Sequence, residues 1–176
     1  MKKLKLILAL TLISFIGNAQ NSTFKFNPDS TADFVVYNVD KQKASELYVK
    51  TLNWINIIFK NPEAVIKAKV ENEMIRIEAF NKKVFTRTFK SGSTGDYDAL
   101  YTLEIQFQDD KYRIKYTNDE IRVDGMKVYF TFSDMLNNVP DKNGNTFDNC
   151  KTQYEANVQE LINSLYQYIT KPKEKW

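Results

Sequence analysis

Histidine is absent from this 176-residue chain, and Cys150 is its single cysteine. Catalysis by a serine or cysteine nucleophile with a histidine base is therefore excluded, as are histidine-ligated zinc and zinc sites built from several thiolates. The five glycines do not have the spacing of a phosphate-binding loop, so no cofactor is expected. Cys150 lies near the start of a predicted helix, where the helix dipole could lower the pKa of the thiol. An inert, partly buried thiol is the simpler interpretation.

Carboxylates are the remaining groups that could act as acid and base. They occur as close pairs at Asp96/Asp98, Asp109/Asp110 and Asp119/Glu120. A glycosidase needs two carboxyl groups at a defined separation, one of them shielded from water. All three pairs fall at predicted turns or strand ends, where side chains are solvated. A hydrolase that uses carboxylates is therefore the most distant of the functions considered.

The segment Asp141–Asp148 offers oxygen ligands at alternating positions, as a calcium-binding loop does. Its glycine is not at the position that an EF-hand requires, and Thr152 stands where the final glutamate ligand would be. An Asn-Gly turn in a surface loop explains the same residues. We therefore expect no metal site from this segment.

Basic side chains recur on one side of the predicted strands. They are Lys67, Lys69, Arg76, Arg113, Lys115 and Arg122, with Arg87 as a further member, and the acids among them are Glu78, Glu104 and Glu120. We expect this side of the sheet to be locally basic and to meet an anionic partner, such as a lipid head group, an acidic glycan or an acidic protein surface. The alternative is a solvated face whose cross-strand ion pairs each contribute little to stability.

Two amphipathic helices are predicted, one on each side of the strand-rich part of the chain. Apolar residues recur at three- and four-residue spacing from Ala44 to Phe59, the pattern of a helix with one buried face. The residue before a proline disfavours the helical conformation, so Asn61-Pro62 closes this helix. The same spacing predicts a second helix from about Lys151 to Ile169.

Between the helices, apolar and polar residues alternate, which is typical of strands in an antiparallel sheet. Two-residue turns that sort apolar from polar side chains across a hairpin occur at Asn72-Glu73, Asp109-Asp110 and Asp124-Gly125. A one-residue slip would mix the two faces. The resulting registers place Val70 opposite Ile75, Phe107 opposite Tyr112 and Val123 opposite Met126. Two more strands are predicted at Phe34–Val39 and Lys83–Phe89.

These elements predict an α+β domain. We expect a two-layer sandwich in which two helices cover one face of an antiparallel meander sheet of about six to seven strands. The alternative is a helix-grip arrangement, in which the helices close over a cavity that could carry a small apolar ligand. Its lining would be aromatic, from Tyr48, Trp54, Phe107, Tyr112 and Tyr116. Such side chains more often fill a core.

Residues 1–19 have the pattern of a signal peptide, with three lysines, an apolar run and small residues at Gly17 and Ala19. The apolar run is too short to span a membrane, and the mature chain has no other candidate. We expect cleavage before Gln20 and export to the periplasm or beyond. The three lysines account for the net charge of +3. The mature chain is therefore formally neutral, and its charge gives no reason to expect nucleic-acid binding.

The rest of the chain is predicted to divide into three parts. Residues 20–32 are polar and form a flexible lead-in, residues 33–170 form a single α+β domain, and residues 171–176 form a C-terminal tail. This length is ordinary for one domain with a full core. Because one cysteine cannot form an internal disulfide, core packing must stabilise the fold.

Several segments resemble a known family. Lys43–Tyr48, leading to Trp54 and Phe59, resembles the opening helix of the family called domain of unknown function 4468, and Tyr101–Ile105 with Asp110–Ile114 resembles its paired strands. The resemblance covers roughly residues 33 to 123. It implies an exported bacterial protein with a TBP-like fold. Since the family has no assigned function, the resemblance provides no catalytic residues to carry over.

The sequence thus predicts an exported, non-enzymatic binding or interaction module of the bacterial cell envelope. Its expected partner is an anionic envelope component or another envelope protein. Carriage of a small apolar ligand is the main alternative.

Overall fold

The structure is a computed structural model that describes residues 23–27, 29, 32, 34–124, 126–128 and 130–171. The predicted signal peptide, and the predicted tail beyond Lys171, lie outside these residues. The elements follow one another as β1 Val35–Asn38, α1 Ala44–Ile58, α2 Pro62–Val65, β2 Ile66–Val70, β3 Met74–Thr88, β4 Thr94–Gln108, β5 Lys111–Val123, β6 Met126–Lys127, α3 Phe132–Leu136 and α4 Cys150–Thr170. Among the described residues, no helix is both long and apolar enough to cross a membrane.

The main sheet has five strands in the order β1-β5-β4-β3-β2, and every neighbouring pair is antiparallel. The two-residue β6 pairs with the end of β5. Helices α1 and α4 contact one side of this sheet and each other, which confirms the predicted two-layer α+β class. The full strands are fewer than the six to seven expected, because Lys83–Phe89 largely continues β3 instead of forming a strand of its own.

We call the side of the sheet beneath α1 and α4 the covered face, and the other side the open face. Alternate residues of β4 from Tyr97 to Phe107 are buried on the covered face, while the residues between them are partly exposed. The helices contribute side chains such as Trp54 and Ile55 from α1 and Val158 and Ile162 from α4. The core therefore lies between one sheet face and two helices.

The predicted hairpin registers hold at two turns and fail at one. Phe107 pairs with Tyr112 and Val123 with Met126, as predicted. Val70 pairs with Met74 instead of Ile75, because the turn occupies residues 71–73 with Asn72 in the left-handed conformation (φ 60°). A bulge between Ile66 and Ala68 shifts the pairing by a further residue and places Ile66 opposite Ile77.

Helix α1 is attached to the sheet at its first turn. Its N-cap residue, Lys43, makes no side-chain cap of its own. Asp109, in the turn between β4 and β5, instead accepts hydrogen bonds from the Ala44 N–H and from Lys43 Nζ, each at 2.9 Å. A carboxylate beside the N-terminus of a helix also interacts favourably with the helix dipole. The β4–β5 turn therefore fixes where α1 begins.

The described part of the N-terminal segment packs onto the domain through two buried phenylalanines, which differs from the flexible lead-in expected for residues 20–32. Phe24 and Phe26 are 1% and 3% exposed. Their backbone N–H groups donate to Gln159 Oε1 at 2.6 Å and to Glu155 Oε1 at 3.0 Å on α4. The segment thus forms part of the core of the domain.

Candidate functional site

The open face carries most of the basic residues expected there. Arg76 lies opposite Glu104, Arg113 opposite Gln106 and Lys115 opposite Glu104, all on the exposed side of their strands. Lys67 and Arg122 reach acids of the same face, as described below. The structure therefore brings these five residues onto one surface.

Lys69 and Arg87 lie on the covered side instead, and their assignment to the basic face is wrong. Lys69 is opposite the core residue Ile75, a consequence of the one-residue shift in the β2–β3 hairpin. Arg87 lies two residues from Phe85, whose ring stacks on a core tyrosine, and it is 3% exposed. β3 has an irregularity between Asn81 and Phe85, and beyond it Phe85 pairs with buried Tyr97, so Arg87, two residues further on, lies on the covered side.

A hydrogen-bonded network crosses three strands of the open face. Arg76 donates to Glu104 Oε2 through Nε at 3.0 Å and Nη2 at 2.6 Å. Gln106 Nε2 donates to Glu104 Oε1 at 2.6 Å, which turns the amide oxygen of Gln106 toward β5. Arg113 donates to that oxygen through Nε at 2.8 Å and Nη2 at 2.6 Å. The network thus contains two guanidinium groups and one carboxylate, so it carries one excess positive charge.

The network also keeps Glu104 ionised. The hydrogen bond from Arg76 lowers the pKa of Glu104, and the hydrogen bond from Gln106 and the charge of Lys115 act in the same direction, against partial burial. The carboxylate is therefore a fixed acceptor that orients Gln106, and through Gln106 it orients Arg113.

Among the predicted basic residues that lie on the open face, Arg113 and Lys115 are distinctive, since neither forms an ion pair with any described residue. The guanidinium of Arg113 lies 4.1 Å from the ring centre of Phe34, and Lys115 Nζ lies 5.9 Å from it. Positive charge is therefore least compensated on β5, beside β1. The ion pairs elsewhere on this face are Lys67–Glu78 at 3.5 Å, Arg76–Glu104 at 2.6 Å and Arg122–Glu120 at 3.1 Å.

The four residues of the network border a groove of about 660 Å³, within the range of about 300–1,000 Å³ that is usual for small-molecule sites. The groove crosses the whole sheet, from Val36 on β1 to Val70 on β2. Between these ends it is lined, among others, by Lys111 and Arg113 of β5, Glu104 and Gln106 of β4, and Met74 and Arg76 of β3. It combines charged, amide and apolar side chains.

Phe34 and Lys111 belong to this surface but were not predicted from the sequence. The pairing of Val36 with Arg113 brings β1 beside β5, and hence Phe34 beside the two cations. The hairpin rule applies to strands that follow one another along the chain, so it could not predict this distant pairing. Lys111 directly follows a turn, where a lysine by itself indicates only solvent exposure.

Asp141, the first residue of the segment that resembles a calcium loop, is engaged within its own turn. Its Oδ1 accepts hydrogen bonds from the N–H groups of Asn143 and Asn145 at 2.9 Å each, and its Oδ2 lies 3.2 Å from Arg87 Nη2. Gly144 adopts φ 73° and donates its N–H to the Asp141 carbonyl at 2.7 Å. Within the described ranges, no cluster of three or more acidic or cysteine side chains is suited to hold a metal ion.

The Asp141 turn predicts a pH dependence. Hydrogen bonds from the Asn145 side chain and from backbone N–H groups, with the charge of Arg87, lower the pKa of Asp141 to about 2. Since this folded-state pKa lies below the unfolded value of about 3.9, the ionised form stabilises the fold above about pH 4, and this contribution is lost as the pH falls toward 2. We expect the difference in unfolding free energy between wild type and Asp141→Asn to shrink over that interval, measured by urea denaturation.

Exposed Asp40 provides the control for this measurement. Asp40→Asn removes the same charge at a site outside the Asp141 turn. Its effect on the free energy of unfolding should therefore not show the change between about pH 4 and pH 2 that is expected for Asp141→Asn. A stability difference for Asp141→Asn that is the same at pH 6 and at pH 2.5 would contradict the expected role of the ionised carboxylate.

Cys150, at the start of α4, is fully buried. Burial raises the pKa of the thiol to about 11, and this outweighs the opposing charge of Arg87. The Sγ atom lies 3.9 Å from the Thr86 carbonyl oxygen. The thiol therefore stays protonated near neutral pH, as an inert core residue would.

The three carboxylate pairs are engaged by local partners. Hydrogen bonds from Thr86 and Lys83 lower the pKa of Asp96, and those from Lys43 and the Ala44 N–H lower the pKa of Asp109. Asp119 accepts a hydrogen bond from Thr102 Oγ1 at 2.7 Å. A carboxyl group that acts as a general acid near neutral pH needs a raised pKa. The pKa values of Asp96 and Asp109 are lowered instead, so neither group suits that role.

The aromatic residues considered as a cavity lining are buried and lie against other rings. Tyr48 contacts Phe107 edge-on at 5.9 Å between ring centres. Tyr112 stacks on Tyr37 at 5.3 Å, and Tyr116 stacks on Tyr101 at 4.9 Å. Trp54 Nε1 donates to Ser164 Oγ at 3.1 Å. These contacts are those of a filled core.

Comparison with known proteins relates both sequence and fold to one family. Residues 34–122 match the family model described as a domain of unknown function (DUF4468) with TBP-like fold. No protein with a curated description gives a significant match.

Two solved structures are similar in fold. One is a DUF4468 family protein from Bacteroides ovatus ATCC 8483, with a TM-score of 0.58 and 8% identity, covering 84% of this chain and 91% of the other. The second is a TBP-like protein from Parabacteroides distasonis ATCC 8503, with a TM-score of 0.55 and 13% identity, covering 80% and 93%. At such low identity the similarity shows the fold alone.

Proposed function

The chain belongs to the family described as a domain of unknown function (DUF4468) with TBP-like fold, and we propose that it is an exported, non-enzymatic binding module of the bacterial cell envelope. In this proposal, the open face of the sheet recognises an anionic partner. The term TBP-like describes the fold and implies no nucleic acid. Export is supported by the signal-peptide pattern of residues 1–19.

The observation that carries the proposal is the uncompensated charge of Arg113 and Lys115. Both side chains project from the middle of β5 onto the open face, and Gln106 and Phe34 hold the Arg113 guanidinium in place without neutralising it. A pre-positioned cation loses less side-chain entropy on binding than a mobile one. An anionic partner would supply the charge that this network lacks.

The alternatives have less support. The space between helices and sheet is filled by packed aromatic rings, which favours surface recognition over carriage of an apolar ligand in the interior. The lowered pKa values of Asp96 and Asp109 do not suit a general acid. We therefore assign the open face, and not a carboxylate pair or an interior cavity, as the functional surface.

The proposal predicts salt-sensitive binding of the mature chain to anionic surfaces. Wild type should bind dextran sulfate and vesicles rich in phosphatidylglycerol at low ionic strength, and it should be released as salt screens the charges. The double variant Arg113→Glu/Lys115→Glu should bind at least roughly thirtyfold more weakly, because each basic side chain near an anionic surface contributes about 1 kcal/mol. Co-sedimentation and retention on the immobilised polymer measure both effects.

Lys60 and Lys142 provide the matched control, because both are exposed and both lie outside the sheet. Lys60→Glu/Lys142→Glu changes the net charge equally and should keep most of the binding. Absence of any salt-sensitive binding by wild type would refute the proposal. Equal losses in the two double variants would show that net charge, and not the open face, is responsible.

A further inference from the structure

We propose that the groove on the open face binds a single-headed anionic amphiphile, with one carboxylate or phosphate head on Arg113 and an apolar body along the groove toward β2. This inference rests on the proposed function and specifies the ligand class for the same surface. It follows from three features of the groove: the free edge of one guanidinium, the position of the acids, and the apolar residues at the ends.

The head site is the outer edge of the Arg113 guanidinium. A guanidinium can bind oxygen through the edge formed by Nε and Nη2 or through the edge formed by Nη1 and Nη2. Gln106 Oε1 occupies the first edge, and no other described residue accepts a hydrogen bond from Arg113. The second edge therefore remains available to an oxyanion. Lys111, which also lines the groove, adds a second positive charge nearby.

The acids of the groove limit the ligand to one charged head. Glu73 and Glu104 both line the part formed by β3 and β4, and Glu104 is already bound by Arg76 and Gln106. A second anionic group in this part would meet the exposed carboxylate of Glu73 at close range, and like charges repel there. A polyanion that follows the groove is thus disfavoured, whereas an anion with its charge at the β5 side is accommodated.

The apolar side chains indicate where the body of the ligand lies. Val70, at the β2 end of the groove, is 45% exposed, and Met74 lines the groove beside it. With strands about 4.8 Å apart, three spacings separate Arg113 on β5 from Val70 on β2, or roughly 14 Å. An alkyl chain that crosses this distance would cover apolar surface that is otherwise in contact with water.

Isothermal titration calorimetry of the mature chain can test this inference with four probes below their micelle concentrations. Octyl phosphate and octanoate carry both head and body, inorganic phosphate carries only the head, and octanol carries only the body. We expect one molecule of octyl phosphate or octanoate per chain, bound at least about tenfold more tightly than phosphate or octanol. The tighter of the two amphiphiles identifies the head group as phosphate or carboxylate.

Variants separate the head site from the apolar site. Arg113→Gln should weaken binding of the amphiphile about tenfold or more, since a hydrogen bond to a charged donor is lost. Val70→Ser/Met74→Ser should also weaken it about tenfold while leaving retention on dextran sulfate unchanged. Arg122→Gln is the control, because Arg122 is on the same face but is paired with Glu120, and it should bind as wild type does.

The outcomes distinguish this inference from the function on which it rests. If inorganic phosphate binds as tightly as octyl phosphate, the apolar body has no role and the inference is wrong. If dextran sulfate and vesicles bind through Arg113 and Lys115 but neither amphiphile does, the inference is wrong while the proposed function stands. If no anionic probe binds at all, both are wrong.

Discussion

Replacement of Phe26 by alanine is expected to lower the free energy of unfolding by about 3–5 kcal/mol, the usual cost of removing a buried phenylalanine side chain. The ring is 3% exposed and lies at the centre of an aromatic cluster. Its centroid is 4.8 Å from that of Phe24, 4.9 Å from that of Phe132 and 5.1 Å from that of Tyr154. Its loss would leave a cavity bordered by the N-terminal segment, α3 and α4.

Phe80→Ala is the matched control, because Phe80 is 43% exposed on the open face. Its loss should cost less than about 1 kcal/mol. Urea denaturation of the two variants, each made in the chain that begins at Gln20, measures the difference. Equal and small effects would mean that the segment around Phe26 does not stabilise the domain, as the flexible lead-in expected from the sequence would imply.

The difference between sequence and structure at this segment has a physical reason. Phe24 and Phe26 stand two residues apart among polar residues, and two apolar side chains are too few to give a periodic signal. They are held by side chains far along the chain, since Glu155 and Gln159 accept their backbone hydrogen bonds. Local composition therefore indicated a mobile segment where long-range contacts make a buried one.

The accuracy of the predicted strand registers likewise depends on how strongly the local apolar pattern specifies each hairpin. The β4–β5 hairpin has long strands with a regular apolar alternation, and the predicted pairing of Phe107 with Tyr112 is correct. The β2–β3 hairpin includes an edge strand in which Ile66 and Ala68 are only half-buried. Weak burial specifies register weakly, and the longer turn shifts the pairing by one residue. This shift is why Lys69 does not lie on the basic face.

The candidate site could be predicted where it depends on a hairpin. The pairing of Gln106 with Arg113 follows from the β4–β5 register, and it forms the centre of the network. The contribution of Phe34 depends on pairing between the first and fifth strands, which no local pattern specifies. The orientation of the Gln106 amide depends in turn on Glu104. The positive charge of the network and the sheet face on which it lies could thus be predicted from the sequence. The contacts that fix the orientation of the Arg113 side chain could not.

Arg87→Met is expected to destabilise the protein by at least about 3 kcal/mol, because two charged hydrogen bonds, each contributing about 1.5–3 kcal/mol, would be lost. Arg87 donates through Nε to the Thr146 carbonyl at 2.8 Å and through Nη2 to the Asn145 carbonyl at 2.6 Å. The guanidinium also lies 3.7 Å from the ring centre of Phe147. It therefore attaches the loop before α4 to the end of β3.

Methionine keeps the length and apolar stem of Arg87 but cannot donate to the two carbonyls, so the loop at residues 141–147 should be released as well as the domain destabilised. Urea denaturation measures the stability, and the rate of proteolytic cleavage within the loop measures its release. Arg87→Lys should be intermediate, because an ammonium group lacks the rigid fork that reaches two acceptors. Arg122→Met removes a guanidinium that is partly exposed on the open face, and its effect should be much smaller. If Arg87→Met and Arg122→Met prove equally stable, with the loop equally resistant to cleavage, Arg87 does not anchor this end of the sheet.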